Sequence, residues 1–327
     1  MPSVPASIHR TRVAVCVATY RRPALLAQLL DGLSALTFTK VPVPDITVVI
    51  VDNDSARSAE PVCLRNRLPW NVRYAVEPRR GIAQARNRAL REAADLEFIA
   101  FIDDDEAPAP SWLDELLAAQ AQFAADVVCG LVIPSYAPGV PAWIRAGRFF
   151  ERPVPAAGSA PETFSTNNVL LRAAVLAYVH GFDERFSFTG GEDTQFFLRV
   201  RAAGFSIVSS GAAVVRETVP LSRANLRWML RRAYQCGNSW VLCESSLDPR
   251  LSTRALRFFK ASARIGQGSL GVLLSPLGGR VAFTRALRTV CLGAGMLTAL
   301  FGQRFEPYRG AASSAVEPGF SPALRRT

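Results

Sequence analysis

The sequence is poor in the side chains on which zinc enzymes and triad hydrolases depend. It has only two histidines, His9 and His180, and its six cysteines include no Cys-x-x-Cys pair. Zinc sites and Ser-His-Asp or Cys-His catalytic groups need these residues in combination. The sequence therefore argues against both kinds of chemistry, and unpaired cysteines within apolar runs favour a reducing compartment.

Several common signatures are also missing. No Gly-x-Gly-x-x-Gly follows the first predicted strand and no Gly-x-x-x-x-Gly-Lys-Ser/Thr occurs, which argues against dinucleotide cofactors and P-loop chemistry. The uncharged stretch 289–303 in the C-terminal third, which no other uncharged stretch there exceeds, is shorter than the roughly 18 to 20 residues of a spanning helix. The apolar run 13–18 is too short for a signal-peptide core. We therefore expect neither export nor a transmembrane span.

Positive charge is concentrated at one end of the chain. The formal net charge is +11, from 38 Lys+Arg and 27 Asp+Glu. Residues 216–327 carry 17 basic and 5 acidic side chains, so that this third alone has a net charge of +12. Arginine alternates here with Leu, Ala and Gly far more than with aromatic residues, which favours anionic lipid headgroups over nucleic acid. We expect a basic, helical C-terminal region that lies on a membrane surface.

Apolar runs and helical segments alternate through the first half of the chain. Five runs predict buried strands, at 13–19, 46–51, 72–77, 98–102 and 126–133. This alternation is typical of a doubly wound α/β sheet, whose ligand site lies beyond the carboxyl ends of the strands. After a Pro- and Gly-rich excursion at 134–165, we expect two short strands near Ser206 and Val214 to complete the domain.

Three adjacent carboxylates, Asp103, Asp104 and Asp105, follow the fourth predicted strand. They repel one another unless a cation neutralises them. Mg²⁺ or Mn²⁺ is usually held by one or two carboxylates, and substrate phosphates complete its coordination. The same pattern also fits a solvated acidic turn before the next helix. The position at a strand end favours a divalent metal site with a phosphate-bearing substrate.

A second acidic pair, Glu192 and Asp193, follows Gly190 and Gly191 at the start of a predicted helix. Paired glycines let the backbone approach a ligand closely, and a carboxylate at a fixed helix N-terminus is a candidate general base. The alternative is an acidic first turn that the helix dipole favours.

Polar and basic residues lie near the same predicted sheet edge. Asp52 and Asn53 follow the second strand, where a carboxylate or an amide is placed to hydrogen-bond a base or ribose. Arg79, Arg80 and Arg86 bring cations that suit a diphosphate. The alternative for these residues is an ordinary solvated helix start.

Together these motifs resemble family 2 glycosyltransferases with the GT-A fold, and most closely the bacterial exopolysaccharide branch that includes succinoglycan-type glucosyltransferases. The resemblance covers about residues 12 to 240. It rests on five motifs in the family's order: Val15 to Pro23, Val51-Asp52-Asn53-Asp54, Gly81 with Ala85-Arg86-Asn87, Phe101 to Glu106, and Asn167-Asn168 through Gly190-Gly191-Glu192-Asp193.

The resemblance implies an inverting transfer, in which an acceptor hydroxyl attacks the anomeric carbon of a nucleotide sugar, usually UDP-linked, in one displacement. It implies that Asp193 is the general base, with Glu192 beside it. It also implies a divalent metal, Mn²⁺ or Mg²⁺, at Asp103 and Asp105, with Asp105 the more direct ligand. The resemblance implies that Thr19, Arg22, Asp52 and Arg86 take the nucleotide-contacting positions. We expect Tyr20, Asn53, Asp103 and Asp104 to bind the substrate or nucleotide beside them.

Two positions depart from the family pattern. Many relatives have a histidine as a further metal ligand after the last strands, whereas this chain has no histidine there and offers Glu217 as the candidate. Processive synthases carry Gln-x-x-Arg-Trp, whereas Ala224 stands at the Gln position before Arg227-Trp228. The second departure favours an enzyme that adds a single sugar over a polymerase.

The predicted organisation has three parts: a nucleotide-sugar-binding catalytic domain at 1–220, a basic helical membrane-associating region at 221–308 and a flexible tail at 309–327. We expect a cytoplasmic protein, peripheral on the inner face of the cell membrane, that acts on a lipid-linked or polysaccharide acceptor. One alternative is a nucleotidyltransferase, which shares the crevice and the metal but has no evident use for a Glu192-Asp193 base. The other is a basic protein that binds nucleic acid or membrane on an α/β scaffold.

Overall fold

The computed structural model describes residues 10–161 and 163–309, so the predicted tail lies outside it apart from Arg309. The strands of this part are β1 (Arg12–Thr19), β2 (Asp45–Asp52), β3 (Asn71–Val76), β4 (Phe98–Ile102), β5 (Glu106–Pro108), β6 (Val127–Tyr136), β7 (Asn168–Arg172) and β8 (Ile207–Val219). Its α-helices are α1 (Pro23–Ser34), α2 (Glu60–Arg65), α3 (Ile82–Glu92), α4 (Trp112–Phe123), α5 (Ala142–Ala146), α6 (Glu192–Ala202), α7 (Leu226–Leu247), α8 (Leu251–Leu274) and α9 (Gly279–Leu300). All five strands predicted from apolar runs are present.

The strands form one sheet in the order β3-β2-β1-β4-β7-β6-β8-β5. Strands β1 to β4 pair in parallel, as the alternation of strands and helices predicts. In contrast, β7 is antiparallel to both β4 and β6, and β5 is antiparallel to β8. The sheet is therefore mixed, because β6 and β7 are joined by a long irregular segment with only the short α5 rather than by a crossover helix.

The prediction of two short strands near Ser206 and Val214 is wrong. This stretch is one strand of 13 residues, β8, which pairs in parallel with β6. The register shifts between Cys129 and Leu131, whose partners on β8 are Ser209 and Val214. A bulge of this kind inserts unpaired residues and bends a strand without ending it. The polar interruption in the sequence therefore marks a bulge and not a turn.

Helices cover both faces of the sheet and hold the strand ends in place. On one face α1 and α4 bury Leu26, Leu30 and Trp112 completely. On the other face α3 and α6 bury Ala89 and Phe196. Each large apolar side chain buried in this way contributes about 1.5–3 kcal/mol. These layers fix the carboxyl ends of β1, β2 and β4 at one edge, where the predicted polar motifs follow.

Three long helices, α7, α8 and α9, follow β8 and pack on one another. A Cβ added at Gly237 of α7 would lie 2.0 Å from the Leu292 carbonyl oxygen, and one added at Gly295 of α9 would lie 2.0 Å from that of Tyr234. The backbones of α7 and α9 therefore touch directly. None of the helices within residues 10–161 and 163–309 combines the length and the apolar character that crossing a membrane requires.

Candidate active site

The ends of β1 and β4 bring two predicted motifs together. Thr19, the last residue of β1, donates a hydrogen bond from Oγ1 to Asp104 Oδ2 at 2.8 Å. Arg22 donates from Nη1 to Asp104 Oδ1 at 3.2 Å and to Asp105 Oδ2 at 3.3 Å. This contact follows from topology, since β1 and β4 are adjacent parallel strands whose carboxyl ends share an edge. The first and fourth motifs thus form one charged cluster.

Arg86 connects this cluster to the second acidic pair. It lies on α3, and its side chain is 8% exposed. One guanidinium nitrogen donates to Glu192 Oε1 and the other donates to Asp103 Oδ1 at 3.3 Å. A planar guanidinium with fixed donors suits this bridging position better than a lysine would. The third and fifth motifs are therefore joined to the acidic loop by one buried cation.

Gly190 and Gly191 form a turn that leads into α6. Their φ angles, 73° and 92°, lie in the left-handed region that favours glycine. The carbonyl of the preceding Thr189 accepts hydrogen bonds from Gln235 Nε2 at 3.1 Å and from Ser239 Oγ at 3.0 Å. A Cβ at Gly191 would lie 3.1 Å from that of Ser239. Helix α7 thus supports the turn that positions Asp193.

Asp193 is half-buried at the start of α6. Its Oδ1 accepts a hydrogen bond from the backbone nitrogen of Thr194 at 2.6 Å and another from the Thr194 hydroxyl at 3.4 Å. Among the residues that the structure describes, none donates to Oδ2. One carboxylate oxygen is therefore held in place while the other remains available to a substrate.

The acidic residues of the site sit in an environment that resists their negative charge. Burial raises the pKa of Asp103, although the nearby Arg86 partly opposes this. Burial also raises the pKa of Asp104 to about 6, against the effects of Arg22 and Thr19. The pKa of Glu192 is raised by burial and then by Asp193, and its Oε2 is buried without a hydrogen-bond partner. Such a cluster favours the arrival of additional positive charge.

Glu217 lies on β8, directly opposite Glu106 of β5. Arg223 donates to Glu217 Oε1 at 2.8 Å and also reaches Asp105 Oδ2 at 3.5 Å. Burial raises the pKa of Glu217, with Arg223 opposing and Asp105 adding to the rise. The structure therefore brings Glu217 to the edge of the acidic cluster, but through a shared arginine.

Glu106 holds the acidic loop at 103–105 in place through hydrogen bonds. It accepts a hydrogen bond from Asn167 Nδ2 at 2.8 Å and one from the backbone nitrogen of Asp103 at 3.1 Å. Burial raises its pKa well above the ordinary value. Glu106 and Asn167 belong to the sequence motifs, but no local pattern indicates a role for either, because their pairing depends on the placement of β4, β5 and β7.

The acidic residues of the site suit a metal ion whose coordination is completed by a substrate diphosphate. They suit less well a metal ion that is coordinated by protein side chains alone. Within the described ranges, no group of three or more His, Cys, Asp or Glu side chains is arranged to hold a metal ion. Asp105 and Glu217 share Arg223 instead of forming a three-carboxylate set with Asp103. Asp103 and Asp105 interact repulsively, and a pair of carboxylates is what Mg²⁺ or Mn²⁺ uses when substrate phosphates complete the coordination. A ligand role for Glu217 stays a prediction.

Asp52 and Asn53 form hydrogen bonds with the backbone of the loops that follow β2 and β3. Asp52 is completely buried, and its carboxylate accepts hydrogen bonds from the backbone nitrogens of Asp54 at 3.0 Å and Ala59 at 2.8 Å. Asn53 Oδ1 accepts a hydrogen bond from the backbone nitrogen of Gly81 at 2.9 Å, just before α3. These contacts shape the loops after β2 and β3, and nucleotide contact by either residue stays a prediction.

Tyr20 lies between two arginines at the same edge. The guanidinium carbons of Arg80 and Arg21 are 4.5 Å and 5.1 Å from its ring centroid. Arg21 also pairs with Asp54 at 3.1 Å. An aromatic ring thus lies between one cation that follows β1 and another that follows β3, a combination that suits a nucleotide.

The chain is similar to known proteins over most of its length. It matches Glycosyl transferase family 2 over residues 14–177 and Glycosyl transferase family group 2 over residues 98–302. It is 34% identical over 299 residues to the succinoglycan biosynthesis protein ExoM of Rhizobium meliloti (strain 1021), which covers 89% of this chain and 93% of that protein.

Two solved structures share the fold. Mannosyltransferase PcManGT from Pyrobaculum calidifontis, in complex with GDP-Man and Mn²⁺, matches with a TM-score of 0.60 at 20% identity, covering 92% of this chain and 90% of that one. S. aureus TarS 1–349, in complex with UDP-GlcNAc, matches with a TM-score of 0.51 at 18% identity, covering 90% and 93%. At these identities the likeness concerns the fold alone.

Proposed function

The chain belongs to glycosyltransferase family 2 and has the GT-A fold, and on this basis we propose that it transfers one sugar from a nucleotide-sugar donor to an acceptor hydroxyl with inversion. The observation that carries the proposal is buried Arg86, which binds both Asp103 and Glu192. A single side chain thereby ties the loop that would hold the donor diphosphate to the pair that contains the proposed base.

In the proposed reaction Asp193 is the general base. The acceptor oxygen forms a bond to the anomeric carbon as the bond to the nucleoside diphosphate breaks, and Asp193 Oδ2 takes the acceptor proton. Oδ1 is held by Thr194, so the carboxylate keeps its direction. Glu192 acts as a positioning residue through Arg86. A nucleotidyltransferase, the alternative from sequence, has no use for such a base.

The donor diphosphate is proposed to lie beside Asp103 and Asp105. Arg22 pairs with Asp105 while its side chain remains 46% exposed, so it is accessible to a phosphate. A divalent metal bound by the two carboxylates would supply positive charge for the leaving diphosphate. The relatives solved with GDP-Man and Mn²⁺ and with UDP-GlcNAc support a nucleotide-sugar donor, for which we propose a UDP-sugar.

The acceptor is proposed to be a lipid-linked or polysaccharide chain at the inner face of the cell membrane. The relative named as a succinoglycan biosynthesis protein supports an exopolysaccharide precursor. Helix α8 supports a membrane surface: its buried stripe includes Ala261 and Gly268, whereas Phe259 and Leu273 on the opposite side are 68% and 76% exposed. Exposed apolar side chains beside basic ones are typical of helices that lie on anionic membranes.

Donor binding provides the test of the proposed reaction. A panel of nucleotide sugars with and without Mn²⁺ is screened for thermal stabilisation of the full chain and then for metal-dependent hydrolysis of the donor. Binding to the folded state must raise the apparent stability. We expect stabilisation by UDP-sugars only when Mn²⁺ or Mg²⁺ is present. Stabilisation by nucleoside triphosphates with release of diphosphate would instead indicate a nucleotidyltransferase.

Membrane attachment needs a separate test. Full-length protein is sedimented with vesicles of phosphatidylcholine, with or without phosphatidylglycerol, at low and high salt. We expect binding only to the anionic vesicles, weakened by salt. Replacing Phe259 and Leu273 with Ser should reduce it. Replacing Leu64 of α2, which is 80% exposed, is the matched control and should leave binding unchanged. Equal loss in both variants would refute a role for the α8 face.

A further inference from the structure

A second concentration of positive charge lies where the segment after α5 meets α9. A pocket of about 390 Å³ is lined there by Arg148, Arg152, Arg285 and Arg288, together with the carboxylate of Glu151. Arg148 pairs with Glu151. The other three arginines form no ion pair within 4.0 Å with any residue that the structure describes, so the lining of the pocket carries four arginines against one carboxylate.

Arg288 is the most constrained of these arginines. Its Nε is buried and has no hydrogen-bond partner, and its guanidinium carbon lies 5.4 Å from the ring centroid of Phe149. Burial lowers the pKa of Arg288, and the charge of Arg285, one turn away on α9, lowers it further. Arg285 itself donates only to the carbonyl of Gly147, at 3.1 Å. An anion bound between Arg285 and Arg288 would offset the repulsion between their charges.

The pocket borders the proposed active site. Arg152 is close enough to Glu217 to interact with it electrostatically, and Glu217 in turn interacts with Asp105. The opposite wall is linked through α7, because Cys236 interacts with Arg288 and also with Arg232, which interacts with Asp193. The pocket therefore adjoins the Glu217 side of the acidic cluster, and the side chains of Cys236 and Arg232 lie between it and Asp193.

Apolar surface lies at the same end of α9. Arg285 is six residues from the first residue of the helix, about 9 Å along its axis. The end of α8 and the turn before α9 expose Leu273, Leu274 and Leu277, the last to 91%. Between them Arg280 lies over the ring of Trp143 at 4.2 Å. The arginines of the pocket suit a phosphate group, and the exposed leucines nearby suit a hydrocarbon chain attached to it.

We infer that the pocket of Arg152, Arg285 and Arg288 binds the phosphate or diphosphate group of a lipid-linked acceptor. The inference rests on the proposed function, because it assigns the acceptor side of the same reaction. The pocket holds the acceptor's phosphate while the sugar end extends toward Asp193. Guanidinium groups bind phosphate oxygens through paired hydrogen bonds, and the Phe149 ring supplies an apolar wall.

The experiment measures binding of farnesyl diphosphate to the full chain by calorimetry. The buffer contains EDTA, so that a diphosphate has no cation to join it to Asp103 and Asp105. We expect the affinity to fall at least tenfold in Arg285→Gln and in Arg288→Gln. Arg264→Gln, which removes an exposed arginine of α8 outside the pocket, is the matched control and should bind like the wild type. Equal affinity in Arg288→Gln and Arg264→Gln overturns the inference.

Two further arms distinguish the source of the anion and guard against misfolding. Inorganic diphosphate should bind more weakly than farnesyl diphosphate; equal binding means a site for soluble anions and overturns the assignment to a lipid. Arg152→Gln, on a different segment, must also weaken binding, which tests the pocket even if the α9 variants are unstable. Thermal stabilisation by UDP and Mn²⁺ is measured in parallel. Its absence in the wild type would count against the proposed function, whereas its persistence with unaltered lipid binding would count against the pocket alone.

Discussion

Removing the positive charge of Arg86 should destabilise the protein strongly and in a pH-dependent way. In Arg86→Gln the carboxylate of Glu192 loses its buried cation, and its Oε2 already has no hydrogen-bond partner. Removing one partner of a buried ion pair typically costs about 3–5 kcal/mol. Since total stabilities are about 5–15 kcal/mol, this loss is large enough to measure by urea unfolding at pH 8.

The pH dependence identifies the cause of that loss. The pKa of Glu192 is already raised by burial, and removing Arg86 raises it further. A carboxyl group whose pKa is higher in the folded than in the unfolded state destabilises the protein fully above the folded-state pKa, and this penalty shrinks as the pH falls from that pKa towards the unfolded-state value. Arg86→Gln should therefore recover stability between pH 8 and pH 5.5. The double variant Arg86→Gln/Glu192→Gln should recover stability already at pH 8.

A neighbouring ion pair supplies the control. Arg88 lies on the same helix and pairs with Glu92 at 2.7 Å, with side chains 36% and 29% exposed. Because such pairs contribute about 1 kcal/mol or less, Arg88→Gln should change stability little at either pH. A loss below about 1 kcal/mol in Arg86→Gln, or a loss that neither acid nor the second substitution relieves, would refute the reasoning about a buried bridge.

Three other substitutions test separate parts of the site and fold. Asp105→Ala should abolish Mn²⁺-dependent UDP binding measured by calorimetry. Unchanged affinity would mean that Asp105 belongs to a solvated acidic turn and does not bind the metal. Asp193→Asn should keep donor binding while transfer falls by roughly 10² or more; loss of both together would mark Asp193 as structural. Asp114 accepts hydrogen bonds from the backbone of Thr39, Lys40 and Val41, which outweigh its burial and lower its pKa. Asp114→Asn should therefore cost about 1–3 kcal/mol at pH 7, a difference that shrinks below about pH 4 as the wild-type carboxylate is protonated; a pH-independent difference in urea unfolding would contradict this.

The parallel half of the sheet was predictable because its strands are continuous apolar runs with polar residues at their ends. The polar residues at the strand ends also predict that Thr19 and Asp104 lie at one edge of the sheet, where the structure shows a hydrogen bond between them. Strand β7 was not predicted, since its five residues are short and its Asn168 is polar. The structure shows that this amide is buried and bound to Trp112 Nε1 at 2.8 Å and to two backbone carbonyls. The strand conformation of this segment therefore depends on contacts with residues distant in sequence, which no local pattern indicates.

The bridge through Arg86 marks the limit of sequence reasoning about the site. Arg86 and Glu192 are 106 positions apart, and each has an ordinary role available as part of a helix start. Only the placement of α3 and α6 on the same face of the sheet brings the two side chains into contact. Likewise, no local pattern links Gln235 and Ser239 to the turn at Thr189, 46 and 50 positions away. Motifs identify which residues are charged, but the connections between motifs depend on topology.

Helix α7 has consequences for how such proteins can be recombined. One side of it supports the turn before Asp193, and the other touches the backbone of α9 through Gly237. A chimaera that joins the sheet of one relative to the C-terminal helices of another therefore replaces one half of the interface between α7 and the turn before Asp193. Crossovers that keep α7 with its own turn and α9 preserve that interface. The turn, α7 and α9 all lie within residues 189–300, so a crossover before residue 189 keeps the set together.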